Sequence, residues 1–375
     1  MGAVRFTNCG WKQIVCAWLL AISLNLHSHL TAAETFYQIG LGRADITPDF
    51  PVRLSGFGGR REESTVVRQP LSAKAMAFCR TDGSFDILLT VDNLGVSDSI
   101  RLRLKDRLIQ RKKAIASITI AASHTHSAPM LDGVCPTLFG EPIPESHQAN
   151  IRRYTKLFEE GVMHAIEEAI EDCQAATLQS LVTQATFATN RRTPGGPVDH
   201  DLPVLVVRRP DGQIRAIFTS YACHCVTLSD NQISGDWAGY AQEAIERAFP
   251  GIQAMVAIGC GADANPNSGV TGDRFDEAQK QGLEIADAIR SALKGPIENV
   301  KGELSIDERT VELPLQTLPP RATWEQLAQR ADPIGHHAKV QLAKIDQGQA
   351  LMEAVSYRIV CWRFGDSLAW LFLPG

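Results

Sequence analysis

Ser117-Ile118-Thr119-Ile120-Ala121-Ala122-Ser123-His124-Thr125-His126-Ser127-Ala128-Pro129 is the stretch from which the fold can be read. Its first six residues are small, apolar or β-branched and read as a short buried strand. The strand then breaks into a polar loop that ends at a proline. Two other segments do the same. Residues 218–222 run into His224 and the Ser234-Gly235-Asp236 turn, and residues 255–258 run into Gly259-Cys260-Gly261-Ala262-Asp263-Ala264-Asn265-Pro266-Asn267. In open α/β sheets the carboxyl ends of the strands converge on the ligand crevice. Three polar clusters in equivalent places therefore predict one site.

Outward from these strands, helical and extended patterns alternate. Residues 36–46 read as an opening strand, and 73–80 and 86–93 as a hairpin around Thr81-Asp82-Gly83-Ser84. Residues 97–114 read as an amphipathic helix with apolar Ile100, Leu102, Leu104, Leu108 and Ile109. A longer helix is predicted over 148–173 from Ile151, Tyr154, Phe158, Val162, Ile166 and Ile170, with His164 read as a surface or packing residue and not a ligand. Strands at 203–208 and 214–221, helices at 236–249 and 275–293, and terminal strands at 359–364 and 368–373 complete the pattern. No internal repeat is evident in the residues. The alternation predicts an α/β fold with a mixed, partly parallel central sheet flanked by helices.

The composition, 44% hydrophobic and 21% charged, excludes a disordered or low-complexity chain. Lys plus Arg is 37 against 42 for Asp plus Glu, which excludes a general nucleic-acid binder. No apolar run is long enough for a spanning helix. Residues 1–33 have the layout of a signal peptide: Arg5 and Lys12, then an apolar stretch over 14–26, then small residues at Thr31-Ala32-Ala33. That predicts a secreted or periplasmic protein beginning at Glu34. Of nine cysteines, seven follow the leader, without the spacing of a disulfide framework. They read as small buried residues, with one disulfide open to an exported chain.

His124 and His126, two apart, share one face if the strand continues, close enough to hold or flank one metal. Neutral imidazole is a preferred zinc ligand, and zinc lowers the pKa of bound water toward ~7. His224, at the end of a second strand, strengthens that reading. Gly259-Cys260-Gly261 with Ala264 matches a relaxed dinucleotide-binding pattern, but Pro266 would disrupt the helix that pattern requires. The segment reads better as a glycine turn that brings backbone N–H groups, Asp263 or Asn265 into the site. Arg191 could bind a carbonyl or carboxylate. His200, His336 and His337 read as turn or surface residues.

These motifs together resemble the neutral, non-lysosomal ceramidases. The resemblance rests on Gly40-Leu41-Gly42-Arg43-Ala44-Asp45-Ile46-Thr47, residues 123–129, Asn190-Arg191, and Ile233-Ser234-Gly235-Asp236 with Gly239-Tyr240-Ala241, in that order along the chain. It implies a zinc-dependent amidase that cleaves ceramide to sphingosine and fatty acid by zinc-activated water. It further implies His124 and His224 as zinc ligands, with His126 and Arg191 lining the substrate site. The implied partner is a lipid-like acyl amide, reached without a transmembrane segment and through peripheral contact with membrane lipid.

Two departures qualify the resemblance. Asn265 stands where the family has a serine that assists catalysis; an amide cannot act as that nucleophile but can donate to an oxyanion. Asn265 and Asp263 are thus the catalytic candidates of this segment. The family's glutamate ligand, tyrosine ligand and immunoglobulin-like domain would all lie beyond Leu373-Pro374-Gly375. Residues 34–375 are therefore expected to form a ceramidase-like catalytic domain incomplete at its C-terminal side, with Asp236 or Asp263 completing the metal site. The competing expectation is a degenerate member that binds a lipid-like ligand without turnover.

Overall fold

A computed structural model describes residues 35–374; the expected leader, residues 1–33, lies outside them. Strands β1 (Tyr37–Asp45), β2 (Ser72–Cys79) and β3 (Phe85–Val91) lead through helix α1 (Asp98–Gln110) to β4 (Ile115–Ala122) and helix α2 (Glu145–Glu171). Then β5 (Gln174–Gln184), β6 (Asp201–Arg208) and β7 (Ile214–Tyr221) lead through α3 (Asp236–Ala248) to β8 (Gln253–Ile258) and α4 (Phe275–Ala292). The same order of elements therefore occurs twice, a repeat that the residues themselves do not show.

The strands form one sheet in the order β8-β7-β6-β5-β1-β2-β3-β4. Neighbours are antiparallel except at the two ends, where β7 pairs with β8 and β3 with β4 in parallel. The halves join at the centre, where Tyr37 lies opposite Ala176 and Ile39 opposite Gln174. A mixed, partly parallel sheet flanked by helices is what the alternation predicts. The sheet also curls until β8 meets β3 and β4. Gln253 donates to the Ala75 carbonyl at 3.0 Å, and the buried Lys74 ammonium donates to the Ala254 carbonyl at 2.8 Å and to Glu246 at 2.7 Å.

Alternation along the strands sorts side chains to two faces. Ala73, Ala75, Ala77, Ile87 and Leu89 face α1 and α2, whereas Met76, Phe78 and Leu88 face the inside of the curl. The second half repeats this, with Val204, Val206, Ile217 and Val256 beneath α3 and α4. The Gly40-Leu41-Gly42 motif has a packing cause. A Cβ on Gly40 would lie 1.8 Å from the Ala169 carbonyl oxygen of α2, and one on Gly42 would lie 2.2 Å from that of Ala165.

A three-stranded antiparallel sheet closes the inside of the curl: β9 (Leu304–Pro314), β10 (Ala354–Phe364) and β11 (Leu368–Phe372). Val360, Trp362 and Phe364 are buried there, and Trp362 donates to Thr119 Oγ1 at 2.9 Å. The sequence pattern predicts the last two strands but not β9. Only Leu304 and Ile306 of β9 pack on the core and the rest is exposed, so it lacks a strand's apolar signature. Cys79 and Cys173 form a disulfide from the end of β2 to the end of α2, while Cys223 and Cys225 are free and buried.

Candidate metal centre

The loops after β4 and β7, one from each half, meet over the carboxyl ends of the parallel strand pairs. His126 N–H donates to the Cys225 carbonyl at 3.0 Å, Ser234 N–H to Ser127 at 2.9 Å, and Thr125 Oγ1 to Ser234 at 2.9 Å. Trp237 Nε1 donates to the His224 carbonyl at 3.0 Å. This knitting brings His124, His126 and His224 together, with one ring nitrogen of each lying within 4.8 Å of the others. His124 has φ 59°, a left-handed conformation that costs a non-glycine residue about 1–3 kcal/mol and that concentrates at functional sites.

Each imidazole faces a backbone carbonyl through Nδ1: His124 with Leu94 at 2.7 Å, His126 with Gly56 at 3.1 Å, and His224 with Gly261 at 2.9 Å. A carbonyl oxygen only accepts, so each Nδ1 carries the proton and each Nε2 keeps its lone pair. That is the tautomer a metal-ligating histidine needs, fixed by partners of the kind that orient such ligands. Nε2 of His124 and Nε2 of His126 are 3.4 Å apart. Two nitrogens on one tetrahedral zinc at ~2.0–2.1 Å sit roughly 3.3–3.4 Å apart, so the spacing within this cluster is compatible with the ion.

Burial is the first cause that lowers all three pKa values, which keeps the lone pairs free at neutral pH. His126 falls furthest, to about 3, with His124, His224 and Arg60 adding to the effect of burial. The charge of Arg191 also lowers His124 and His224. Asn190 Oδ1 accepts from the N–H groups of Arg192 and Thr193 at 3.0 and 2.9 Å, turning the chain so that Arg191 is exposed. Arg191 Nε donates to the Ala262 carbonyl at 3.0 Å.

The glycine turn after β8 gives the site the Gly261 carbonyl, while the N–H groups of Gly259, Gly261 and Ala264 are spent on the carbonyls of Tyr221, Gly259 and Gly261. A strand, Ala264–Pro266, follows instead of a helix, in line with rejecting a dinucleotide site. Asn265 lies opposite Thr189 in that strand pair, with Oδ1 buried and without a partner. The Asp263 carboxylate is exposed, 3.4 Å from Asn190 Nδ2.

Neither carboxylate expected to complete the metal site joins the histidine group. Asp236 is buried, with Oδ2 accepting from Leu228 N–H at 2.9 Å and Oδ1 from Trp237 N–H at 2.6 Å, so it serves the backbone around its helix start. His164 is exposed, and His164, His200, His336 and His337 all lie apart from the group. Sequence reasoning missed the loop of Gly56, Phe57 and Arg60 that wraps His126; its one signal was the glycine-rich run Gly56-Phe57-Gly58-Gly59.

Comparison with known proteins gives the chain's family and fold. The family described as neutral/alkaline non-lysosomal ceramidase, N-terminal, matches residues 37–258, which is more than half of the chain. The chain belongs to that family. A solved structure of a ceramidase complexed with C2 superposes with a TM-score of 0.68 at 19% identity, covering 88% of this chain and 62% of its own. Neutral ceramidase from Pseudomonas aeruginosa gives 0.68 at 19% identity, covering 88% of this chain and 61% of its own. This chain thus spans less than two thirds of either structure, and at that identity the likeness is one of fold. No curated protein matches the chain.

Proposed function

We propose that the protein is an exported zinc-dependent hydrolase that cleaves the N-acyl amide bond of ceramide or a similar lipid-like acyl amide. The observation that carries this reading is the convergence of three imidazoles with Nδ1 pinned and Nε2 bare, in a member of the ceramidase family. His124 and His224 would hold zinc. When bound, that ion supplies a Lewis acid and a water of lowered pKa. His126 would face the substrate, as the family resemblance implies.

Hydrolysis adds water to the acyl carbon and breaks the C–N bond, releasing a fatty acid and an amine. Arg191 would donate to the acyl oxygen as charge builds on it, and the Asn265 amide would be a second donor. Asp263 would accept a proton from the attacking water and return it to the leaving amine. The Cys79–Cys173 disulfide supports an oxidising compartment and hence a secreted or periplasmic site of action. Among the described residues no helix is long and apolar enough to cross a membrane, so the proposal places the enzyme in peripheral contact with its lipid. Asn265, in place of the serine, favours the competing reading of a binder without turnover.

The test is fatty-acid release from a short-chain ceramide by purified residues 34–375. Activity that a chelator removes, zinc restores and His124→Ala abolishes is the expected result. Zinc-loaded protein that binds the lipid but releases no fatty acid would replace the hydrolase with the binder.

A further inference from the structure

We infer that the hydrogen bond between Arg53 and His147 anchors the loop that wraps His126, and that a proton on His147 releases it. Both are positioning residues that act on the substrate site through the loop. The effect on turnover rests on the hydrolase proposed above; the anchor itself does not. Residues 54–62 form the loop between two short strands, Val52–Arg53 and Glu63–Ser64, which pair antiparallel with Arg53 opposite Glu63. One limb runs beside the segment that follows His126. Ser55 N–H donates to the Ala128 carbonyl at 3.0 Å, and Met130 N–H to that of Arg53 at 2.9 Å. The tip reaches the imidazole. The Gly56 carbonyl faces His126 Nδ1 at 3.1 Å, and Phe57 meets the ring edge-on at 5.2 Å between centroids. Arg60 donates to the carbonyls of His126, Ser55 and Asp230. What holds the base of this loop therefore sets the surroundings of His126.

The base is held by a buried charge. Arg53 is 1% exposed, lies over the Phe139 ring at 4.5 Å, and has its Nη1 buried without a partner. Its Nε donates at 2.9 Å to Nδ1 of His147, in the first turn of α2. An arginine Nε–H only donates, so Nδ1 keeps its lone pair and the ring proton sits on Nε2. Nε2 is 3.9 Å from Glu63 Oε2, and Asn150 donates to Glu63 Oε1 at 2.9 Å. Burial lowers the pKa of Arg53 most; the charges of Glu141, Glu62 and Glu63 oppose this and that of Arg61 adds to it. Arg61 in turn lies 3.4 Å from Glu141, and Glu145, on the helix of His147, pairs with Arg152. A proton on His147 Nδ1 removes the acceptor and sets a second positive charge against the guanidinium. Nε then joins Nη1 as a buried donor without a partner, which is unfavourable. Glu63 steadies the charged ring but does not restore the bond. Histidine ordinarily changes charge between about pH 5 and 8, so the anchor is made at neutral pH and lost in mild acid.

Hydrogen exchange of the Ser55 amide, corrected for its intrinsic rate, reads the anchor without zinc or substrate. In the wild-type chain its protection should fall by about tenfold or more between about pH 7.5 and about pH 5.5, the equivalent of one hydrogen bond to a charged group. His147→Asn offers an oxygen that accepts from Arg53 and does not titrate, so it should hold its protection across that range; His147→Leu should lack it at both ends. With a short-chain ceramide, the KM of the wild type should rise toward acid relative to that of His147→Asn. Protection that is independent of pH in the wild type, or that falls equally in His147→Asn, would overturn the inference. A pH-dependent loop with KM values that move in parallel in the two proteins would overturn its link to the substrate. A chain that hydrolyses nothing would instead overturn the hydrolase reading and leave the exchange data to decide the anchor.

Discussion

Nε2 of His124 lies 3.4 Å from Nε2 of His126, and each ring is anchored on its far side by a carbonyl, that of Leu94 or of Gly56. The carbonyls come from loops distant in sequence from the histidines. His224, held by the Gly261 carbonyl, comes from the other half of the sheet, so the centre depends on the folded chain. It would not survive as an isolated His-x-His peptide.

Arg191 separates metal binding from turnover. Arg191→Met should leave zinc content unchanged and lower kcat on an acyl amide by about 100-fold, the usual cost of one oxyanion donor. Steady-state kinetics with a parallel metal assay checks this. A loss of zinc in the variant would move Arg191 from the substrate to the integrity of the site.

Asp236 gives stability a pH dependence of known sign. Burial pushes its carboxyl up to about 6, against ~3.9 in an unfolded chain. The folded state then holds the proton more tightly, so this group's contribution to stability falls as pH rises from about 4 to about 6 and is level above. Asp236→Asn tolerates the left-handed φ of 54° and cannot ionise. The difference in Tm between wild type and variant should therefore shift in the variant's favour across that window. A difference independent of pH would contradict the assignment.

The Cys79–Cys173 disulfide spans 94 residues of sequence, and in the chain-entropy account such a loop contributes about 4–5 kcal/mol. Cys79→Ser with Cys173→Ser should lower the urea midpoint accordingly, without changing zinc binding. An unchanged midpoint would mean that the bond adds nothing to the folded state.

Gly40→Ala tests the packing of α2 on β1. The new methyl would meet the Ala169 carbonyl at 1.8 Å, and backbone on both sides leaves no flexible side chain to yield. A loss of about 3 kcal/mol or more is expected by urea unfolding. A near-neutral result would show that the helix can lift away from the strand.

Much of this was legible in the sequence, for identifiable reasons. A strand such as β3 is buried on both faces, so its apolar run stands out between polar loops. His124 and His224 announced themselves by following such strands. The twofold arrangement did not, because the two halves match in the order of elements and not in residues. Gly56 and Arg60 also stayed hidden: they act through backbone carbonyls of segments up to 170 residues away, a relation with no local pattern. Asp236 misled as a metal candidate because sequence shows a carboxylate near the histidines but not the two backbone N–H groups that already occupy it.

The most direct test is zinc per chain in purified residues 34–375 after dialysis against metal-free buffer, with His124→Ala measured alongside. The account predicts close to one zinc per wild-type chain and essentially none in the variant, both folded by circular dichroism. A folded wild-type chain without zinc, or a variant that retains it, would contradict a metal centre built on His124 and His224.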